Sequence, residues 1–249
     1  MPSLRLDQAL VERGLCPSRE NAKRAILAGQ VRLNGHVPRK ASDTVKEQDI
    51  VTLETPDRYV SRGGYKLEHG LRHFGLDVDG MTAIDLGAST GGFTDCLLQH
   101  GAAMVYAVDV GRGQLAWKLR RDARVKVMEK MNARFLKRGD FPPPFAGAGV
   151  VVADCSFISL KKILPPAIAL LGDSGKILAL VKPQFEAGKA EASRGRGVIT
   201  DPAIHARVLN ELKTFVSGIH GLRWAGETES PLLGPAGNRE FLILLEKQS

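Results

Sequence analysis

The sequence predicts a Rossmann-like α/β domain behind a small N-terminal α+β module, and three observations predict it. From Arg62 onward strand and helix patterns alternate, which means a mostly parallel sheet with helices on both faces. Within that run, Met81–Phe93 reads MTAIDLGASTGGF: an apolar strand pattern ending in Asp85, a loop with Gly87, Gly91 and Gly92, then a helical pattern. Residues 1–54 instead show two short helical patterns and short strands. A length of 249 residues accommodates one large and one small domain of this kind.

Composition narrows the class. A hydrophobic fraction of 43% with 25% charged residues is ordinary for a soluble globular protein. The net charge of +8 points to a polyanionic partner. No apolar run reaches the roughly 18 residues that span a bilayer, and no secretory signal is visible at the N-terminus. Cys16, Cys96 and Cys155 are odd in number and lack CxxC spacing, so reduced thiols and a cytoplasmic location are expected, with no disulfide scaffold. His69 and His73 are the one helix-spaced histidine pair, and without an HExxH or a cysteine pair nearby no metal site is expected.

In the N-terminal module, Leu4, Leu6, Ala9 and Leu10 mark a first helix that stops near Gly14. Ser18 suits an N-cap and Glu20 the first turn of a second helix, which runs to Leu27 and ends at Gly29. Strands follow in QVRLNG and DIVTLE, with Asn34-Gly35 as a tight-turn signal. Between Arg5 and Lys40 eight basic residues face three acidic ones, an excess compatible with either a solvated face or RNA binding. The opening RLDxxL, the SRxxAKRxI helix and the GxVxLNG turn resemble the S4 RNA-binding domain. The resemblance implies RNA binding, with Arg5, Arg19, Lys23 and Arg24 as phosphate contacts.

Residues 55–61 read as a linker, and 62–249 as the α/β domain. Its strands are expected near TAIDL, MVYAVDV, VKVME, GVVVAD, KILALVKP and FLILLE, the last forming an antiparallel pair in a mixed sheet. Between Arg112 and Arg138, ten Lys or Arg residues face two acids, a net +8 equal to that of the whole chain. Several of these belong to an exposed helix face, but the excess suggests a second RNA-facing surface that includes Arg120 and Arg121, with Arg62 nearby.

The glycine loop and Asp109, at the end of MVYAVDV, mark a nucleoside cofactor at the carboxyl edge of the sheet: glycine lets the backbone approach a ligand, and the acid can accept from a ribose diol. GxGxxG is incomplete and no GxxxxGK[ST] is present, so phosphate chemistry is poorly served. Analogy with the fold favours S-adenosylmethionine. Its expected contacts are Asp85, Gly87, Ala88, Ser89, Thr90, Gly91, Gly92, Phe93, Asp109, Val110, Asn132 and Asp154.

Four residues narrow the reaction. Asp154 and Lys182 end strands whose carboxyl ends border one cleft, Lys66 starts the first helix of the domain, and Glu240 reaches the same edge if the last strand is antiparallel. A lysine before proline or an Asp at a strand end has a dull explanation alone; the joint placement is harder to dismiss. With SRGGYKL, DLGASTGGFTD, ADCSFISL, VKPQFEAG and GNREF, the set resembles the TlyA-type (haemolysin A) ribosomal RNA 2′-O-methyltransferases of the FtsJ-like group. That resemblance extends over essentially the whole chain and implies a Rossmann-like S-adenosylmethionine-dependent methyltransferase domain. It further implies a Lys-Asp-Lys-Glu tetrad at Lys66, Asp154, Lys182 and Glu240, and a cytidine ribose in ribosomal RNA or an assembled subunit as acceptor.

A ribose hydroxyl is a poor nucleophile unless a base removes its proton. A lysine can do so only as a neutral amine, which burial and a neighbouring cation favour and carboxylates oppose. The expectation is that Lys182 is the general base, Asp154 orients it, and Lys66 with Glu240 positions the ribose. FPPPF precedes GVVVAD instead of following it, so it reads as a loop, not an amino-methylation motif. Cys155 lacks the preceding proline of a cysteine nucleophile and reads as a small buried thiol. Residues 186–199, with three glycines, read as a lid or as plain surface loop. The haemolysin name invites a membrane-active reading, which the absence of a signal, a spanning segment or a strongly amphipathic helix opposes. A non-catalytic RNA-binding module is the other alternative, and a monomer is expected.

Overall fold

The computed structural model describes residues 3–54, 57–188, 191, 197–234 and 236–248. Cα packing divides the chain into two units, Met1–Arg58 and Tyr59–Ser249. In the first, β1 (Leu4–Arg5) precedes α1 (Leu6–Glu12), α2 (Arg19–Leu27), β2 (Val31–Leu33), β3 (Thr44–Val45) and β4 (Val51–Leu53). Leu4 is therefore in a strand that pairs with Val45, and the first helix begins only at Leu6. The Ser18 side chain accepts from the Asn21 amide at 3.3 Å and caps α2. Asn34 and Gly35 both have left-handed φ, +52° and +81°, in the turn that follows β2. Leu6, Leu10, Ala22, Ile26, Val31, Val45 and Val51 share one small core.

The second unit begins with Tyr59, which is buried against Gly64; a Cβ on Gly64 would lie 2.2 Å from the tyrosine ring. The Val60 amide donates to Asp95 at 2.8 Å. Packing thus starts at Tyr59, three residues before the α/β pattern is readable. The elements are α3 (Gly63–Phe74), β5 (Thr82–Leu86), α4 (Gly92–Gln99), β6 (Met104–Asp109), α5 (Trp117–Arg120), β7 (Val125–Glu129), β8 (Ala148–Ala153), α6 (Leu164–Leu170), β9 (Leu171–Val181), α7 (Pro183–Glu186), α8 (Pro202–Ser217), β10 (Leu222–Glu229) and β11 (Phe241–Lys247). They build one sheet of order β10-β11-β9-β8-β5-β6-β7.

The five strands β5 to β9 run parallel, and β11 is antiparallel to both β9 and β10. Side chains alternate between the faces. Ile84 and Leu86 join a core with α6 and α8 through Leu164, Leu170, Val208 and Leu212, while Ala83, Val150 and Val152 pack under α3 and α4 through Leu67, Leu71, Phe93 and Leu97. Strands buried on both faces read as unbroken apolar runs, which is why they were legible.

β10 is the seventh strand, one more than the sequence pattern indicates. LRWAGETE lies at the sheet edge, largely unburied, and its Gly and charged residues mask any strand signal. No helix among the described residues is long and apolar enough to cross a membrane.

Candidate active site

The site lies outside the carboxyl ends of β5, β6, β8 and β9, where loops from parallel strands converge. Two adjoining cavities, of about 270 and 380 Å³, share Gly87, Ser89, Asp154 and Ser156 in their walls. The loop after β5 separates them. Gly87 takes φ +83°, and a Cβ there would come within 2.8 Å of the Asp154 carbonyl, so only glycine fits. Asp109, ending β6, holds this loop: its carboxylate accepts from the Ser89 amide and the Gly111 amide, both at 2.7 Å.

The larger cavity is lined by Asp109, Val110, Gln114, Met131, Asn132 and Ala133, with Cys155, Phe157, Ile158 and Ile163 opposite. A carboxylate at one end of an apolar slot suits a ribose diol attached to a flat base. This donor set fits the nucleoside part of S-adenosylmethionine without phosphate-binding groups. The smaller cavity is lined by Ser61, Arg62, Gly63 and Lys66 on one side, by Ala88, Thr90, Gly92 and Phe93 on another, and by Asp154 and Lys182. Its polarity fits a charged aminoacyl end and an incoming acceptor.

Two expected cofactor contacts lie elsewhere. Asp85 is fully buried behind the loop, where its carboxylate accepts from the Thr94 hydroxyl at 2.7 Å. Burial pushes its carboxyl up to about 7, against the Thr94 hydrogen bond and with help from the negative charge of Asp154. Gly91 caps α4 at φ +98°, and its missing Cβ makes room for Leu115 and Leu119. Both shape the loop from beneath and line neither cavity.

The tetrad residues meet as two ion pairs. Lys66, in the first turn of α3, places Nζ 2.5 Å from Glu240, 174 residues away in the chain. Lys182, just past β9, places Nζ 2.5 Å from Asp154 and 2.9 Å from the Ser156 hydroxyl. Glu240 and Lys66 are buried and Lys182 nearly so, while Asp154 is about a quarter exposed (23%). The antiparallel β11 makes this possible: Phe241 pairs with Val181, so Glu240 stands beside Lys182 at the same edge. Behind them, Glu186 accepts from the Ser159 hydroxyl and the Leu160 amide, both at 2.6 Å, and ties the turn after β9 to the loop after β8.

The sequence reading did not single out Ser61, Gln114, Met131, Ser156, Phe157 or Ile163. Ser156 and Phe157 could have been found from their place directly after Asp154. Met131 and Ile163 carry no signal that separates a cavity wall from core. Phe157 is 90% exposed, takes φ +64° and packs on Phe185 with ring centroids 5.0 Å apart.

Of the expected phosphate contacts, Arg5 and Arg19 flank the buried Asp7 at 3.1 and 3.0 Å, and Arg24 pairs with Glu20. Lys23 is exposed on α2 and Arg62 beside the smaller cavity. Arg120 is drawn to Glu129, whereas Arg121 is exposed with its guanidinium over Trp117. Within the basic run, Lys118, Arg124 and Arg138 are also engaged inside the fold, by Asp95, Asp122 and backbone carbonyls respectively. Half of residues 186–199, namely 189–190 and 192–196, lie outside the described residues, and the lid expectation falls there.

A family model described as FtsJ-like methyltransferase matches residues 59–247. The chain belongs to this family. An S4 domain model matches residues 4–51, so the FtsJ-like unit carries an S4 domain before it. YqxC of Bacillus subtilis is 48% identical over 245 residues, 97% of this chain and 85% of the relative. The 16S/23S rRNA (cytidine-2′-O)-methyltransferase TlyA of Mycobacterium tuberculosis is 43% identical over 248 residues, covering 98% of this chain and 90% of that one. A solved structure from Streptococcus thermophilus superposes with a TM-score of 0.74 at 45% identity, covering all of this chain and 90% of its own.

Proposed function

We propose that this FtsJ-like protein methylates the 2′ hydroxyl of a ribose, that of a cytidine, in ribosomal RNA, with S-adenosylmethionine as donor and Lys182 as general base. The observation that carries the reading is the convergence of the Lys66–Glu240 and Lys182–Asp154 pairs on a cleft whose other half suits a nucleoside. A bound S-adenosylmethionine supplies a methyl group activated on a sulfonium. Asp109 would hold its ribose, Met131 and Ile163 the walls of its base, and the Gly87–Phe93 loop its aminoacyl end. Lys182 in its neutral form takes the proton of the 2′ hydroxyl, Asp154 orients the amine, and Lys66 with Glu240 sets the ribose. Alignment and proton removal together supply the rate.

The acceptor class is supported by the S4 domain, by the name of the Mycobacterium tuberculosis relative, and by the surface beside the cleft. Trp117 and Phe135 are 70% and 68% exposed, each under an arginine (Arg121 and Arg134). Exposed aromatics among cations suit unpaired RNA bases, and Phe157 offers the same chemistry at the cleft mouth. An RNA acceptor places the activity in the cytoplasm.

The test is radiolabelled methyl transfer to separated ribosomal subunits and to deproteinised ribosomal RNA, with mapping of the modified nucleotide. Lys182→Ala is expected to lower transfer by about 10²–10⁴-fold, the usual worth of a general base. Cofactor binding, measured by calorimetry, stays close to wild type. Transfer by Lys182→Ala at the wild-type rate removes the assignment.

A further inference from the structure

The Lys182 amine has a second fixed partner, Ser156, that the tetrad does not include. A lysine nitrogen has three positions beyond its carbon. The Ser156 hydroxyl accepts from one of them at 2.9 Å, whereas the Asp154 carboxylate lies 2.5 Å away in charge contact without hydrogen-bond geometry. In the neutral amine two positions are N–H groups and the third is the lone pair. The Ser156 hydroxyl thus supplies the directional bond that fixes one N–H of that amine. With the Asp154 charge alone the nitrogen can turn about its bond to Cε, and the lone pair has no fixed direction.

Ser156 is held well enough to perform this task. It follows Asp154, whose amide donates to the Leu86 carbonyl at 3.0 Å, and Cys155, whose thiol points at the same carbonyl at 3.4 Å. The next residue, Phe157, turns the chain with a left-handed φ of +64°, a conformation that a large aromatic adopts only under constraint. Ser156 also lines both cavities, so its hydroxyl stands where donor and acceptor halves of the cleft meet.

We infer that Ser156 is a positioning residue for the general base: its hydroxyl holds one N–H of neutral Lys182 and, beside the Asp154 charge, turns the lone pair toward the acceptor hydroxyl. This rests on Lys182 acting as base. The role needs a hydroxyl at this position, not a particular volume.

The experiment is single-turnover methyl transfer from radiolabelled S-adenosylmethionine to whichever ribosomal subunit or deproteinised ribosomal RNA accepts methyl from the wild type. The variants are Ser156→Ala, Ser156→Thr and Lys182→Ala in the full chain. Ser156→Ala is expected to slow the transfer step about tenfold, the loss of about one hydrogen bond, with KM for RNA and the calorimetric Kd for the cofactor nearly unchanged. Ser156→Thr keeps the hydroxyl and is expected to recover most of the rate. A Ser156→Ala rate equal to wild type, equal impairment of the Ala and Thr variants, or a loss that appears in Kd or KM instead of the transfer step overturns the inference. An inactive Lys182→Ala beside any of those results leaves the base in place and removes only Ser156. An active Lys182→Ala removes the base reading itself, and the inference with it.

Discussion

Replacing Asp85 by Asn removes an ionisable group that the fold holds in an unfavourable place. The carboxyl is fully buried and pushed up to about 7 from an ordinary 3.8, chiefly by loss of hydration. The folded protein therefore binds this proton more tightly than the unfolded chain does. Below about pH 4 both states are protonated and the residue is neutral in its effect. As pH rises the unfolded chain releases the proton first, and stability falls until the folded carboxyl ionises as well. The whole interval corresponds to about 4 kcal/mol, of which about 2–3 kcal/mol falls between about pH 5 and pH 8. Asn keeps an acceptor for the Thr94 hydroxyl and has no such dependence. The assay is urea unfolding of wild type and Asp85→Asn across that range, followed by tryptophan fluorescence. Trp117 and Trp224 are the two tryptophans of the chain and both lie in the FtsJ-like unit, so the signal reports that unit alone. All other titrating groups cancel in the difference between the two proteins. The variant is expected to gain about 2–3 kcal/mol on wild type from the acidic to the alkaline end. A difference that stays constant with pH shows a carboxyl titrating in its ordinary range and refutes the reasoning.

Gly91→Ala combines a left-handed φ of +98° with a Cβ only 2.3 Å from the Leu119 side chain and 2.8 Å from that of Leu115. It is expected to destabilise the FtsJ-like unit by about 2 kcal/mol, measured by the same fluorescence-detected unfolding. In the S4 domain, burial pushes the Asp7 carboxyl up, but hydrogen bonds from Arg5 and Arg19 outweigh it and hold the group below its ordinary value. Its stabilising contribution is then present above about pH 4 and lost as pH falls through the lower folded value. Hydrogen-exchange protection factors in residues 3–54, which are corrected for the intrinsic slowing of exchange in acid, are expected to fall on acidification in wild type, and less steeply in Asp7→Asn.

The parts that the sequence made legible are those whose physics is local. The MTAIDLGASTGGF strand and turn announce themselves because a strand buried on both faces must be apolar and a close-packed loop must be glycine. The helix cap at Ser18 and the Asn34-Gly35 turn are equally local. What stayed hidden depends on distant pairing. Lys66 and Glu240 meet across 174 residues, and their grouping rests on the roles the resemblance implies, since no spacing rule reports a contact at that separation. Arg5 and Arg19 read as free cations because the sequence does not show that Asp7 is buried between them. Met131 and Ile163 line a cavity but have the character of core. The edge strand β10 has too little burial to impose a pattern.

That unpatterned strand has a consequence for the site. Glu240 stands beside Lys66 because β11 is antiparallel and in one particular register with β9, Phe241 against Val181. A slip of one residue would turn the whole apolar set of β11 to the wrong face, which the double-sided core forbids. A slip of two keeps the faces but moves Glu240 by about 7 Å along the strand, far beyond the reach of the Lys66 ammonium. Burial alone does not oppose that second slip. β10 does: Glu229 pairs with Phe241, Thr228 with Leu242, and the Ser230 amide donates to the Glu240 carbonyl at 2.9 Å. β11 is thus held from both sides, and the exposed strand LRWAGETE fixes the position of a buried carboxylate.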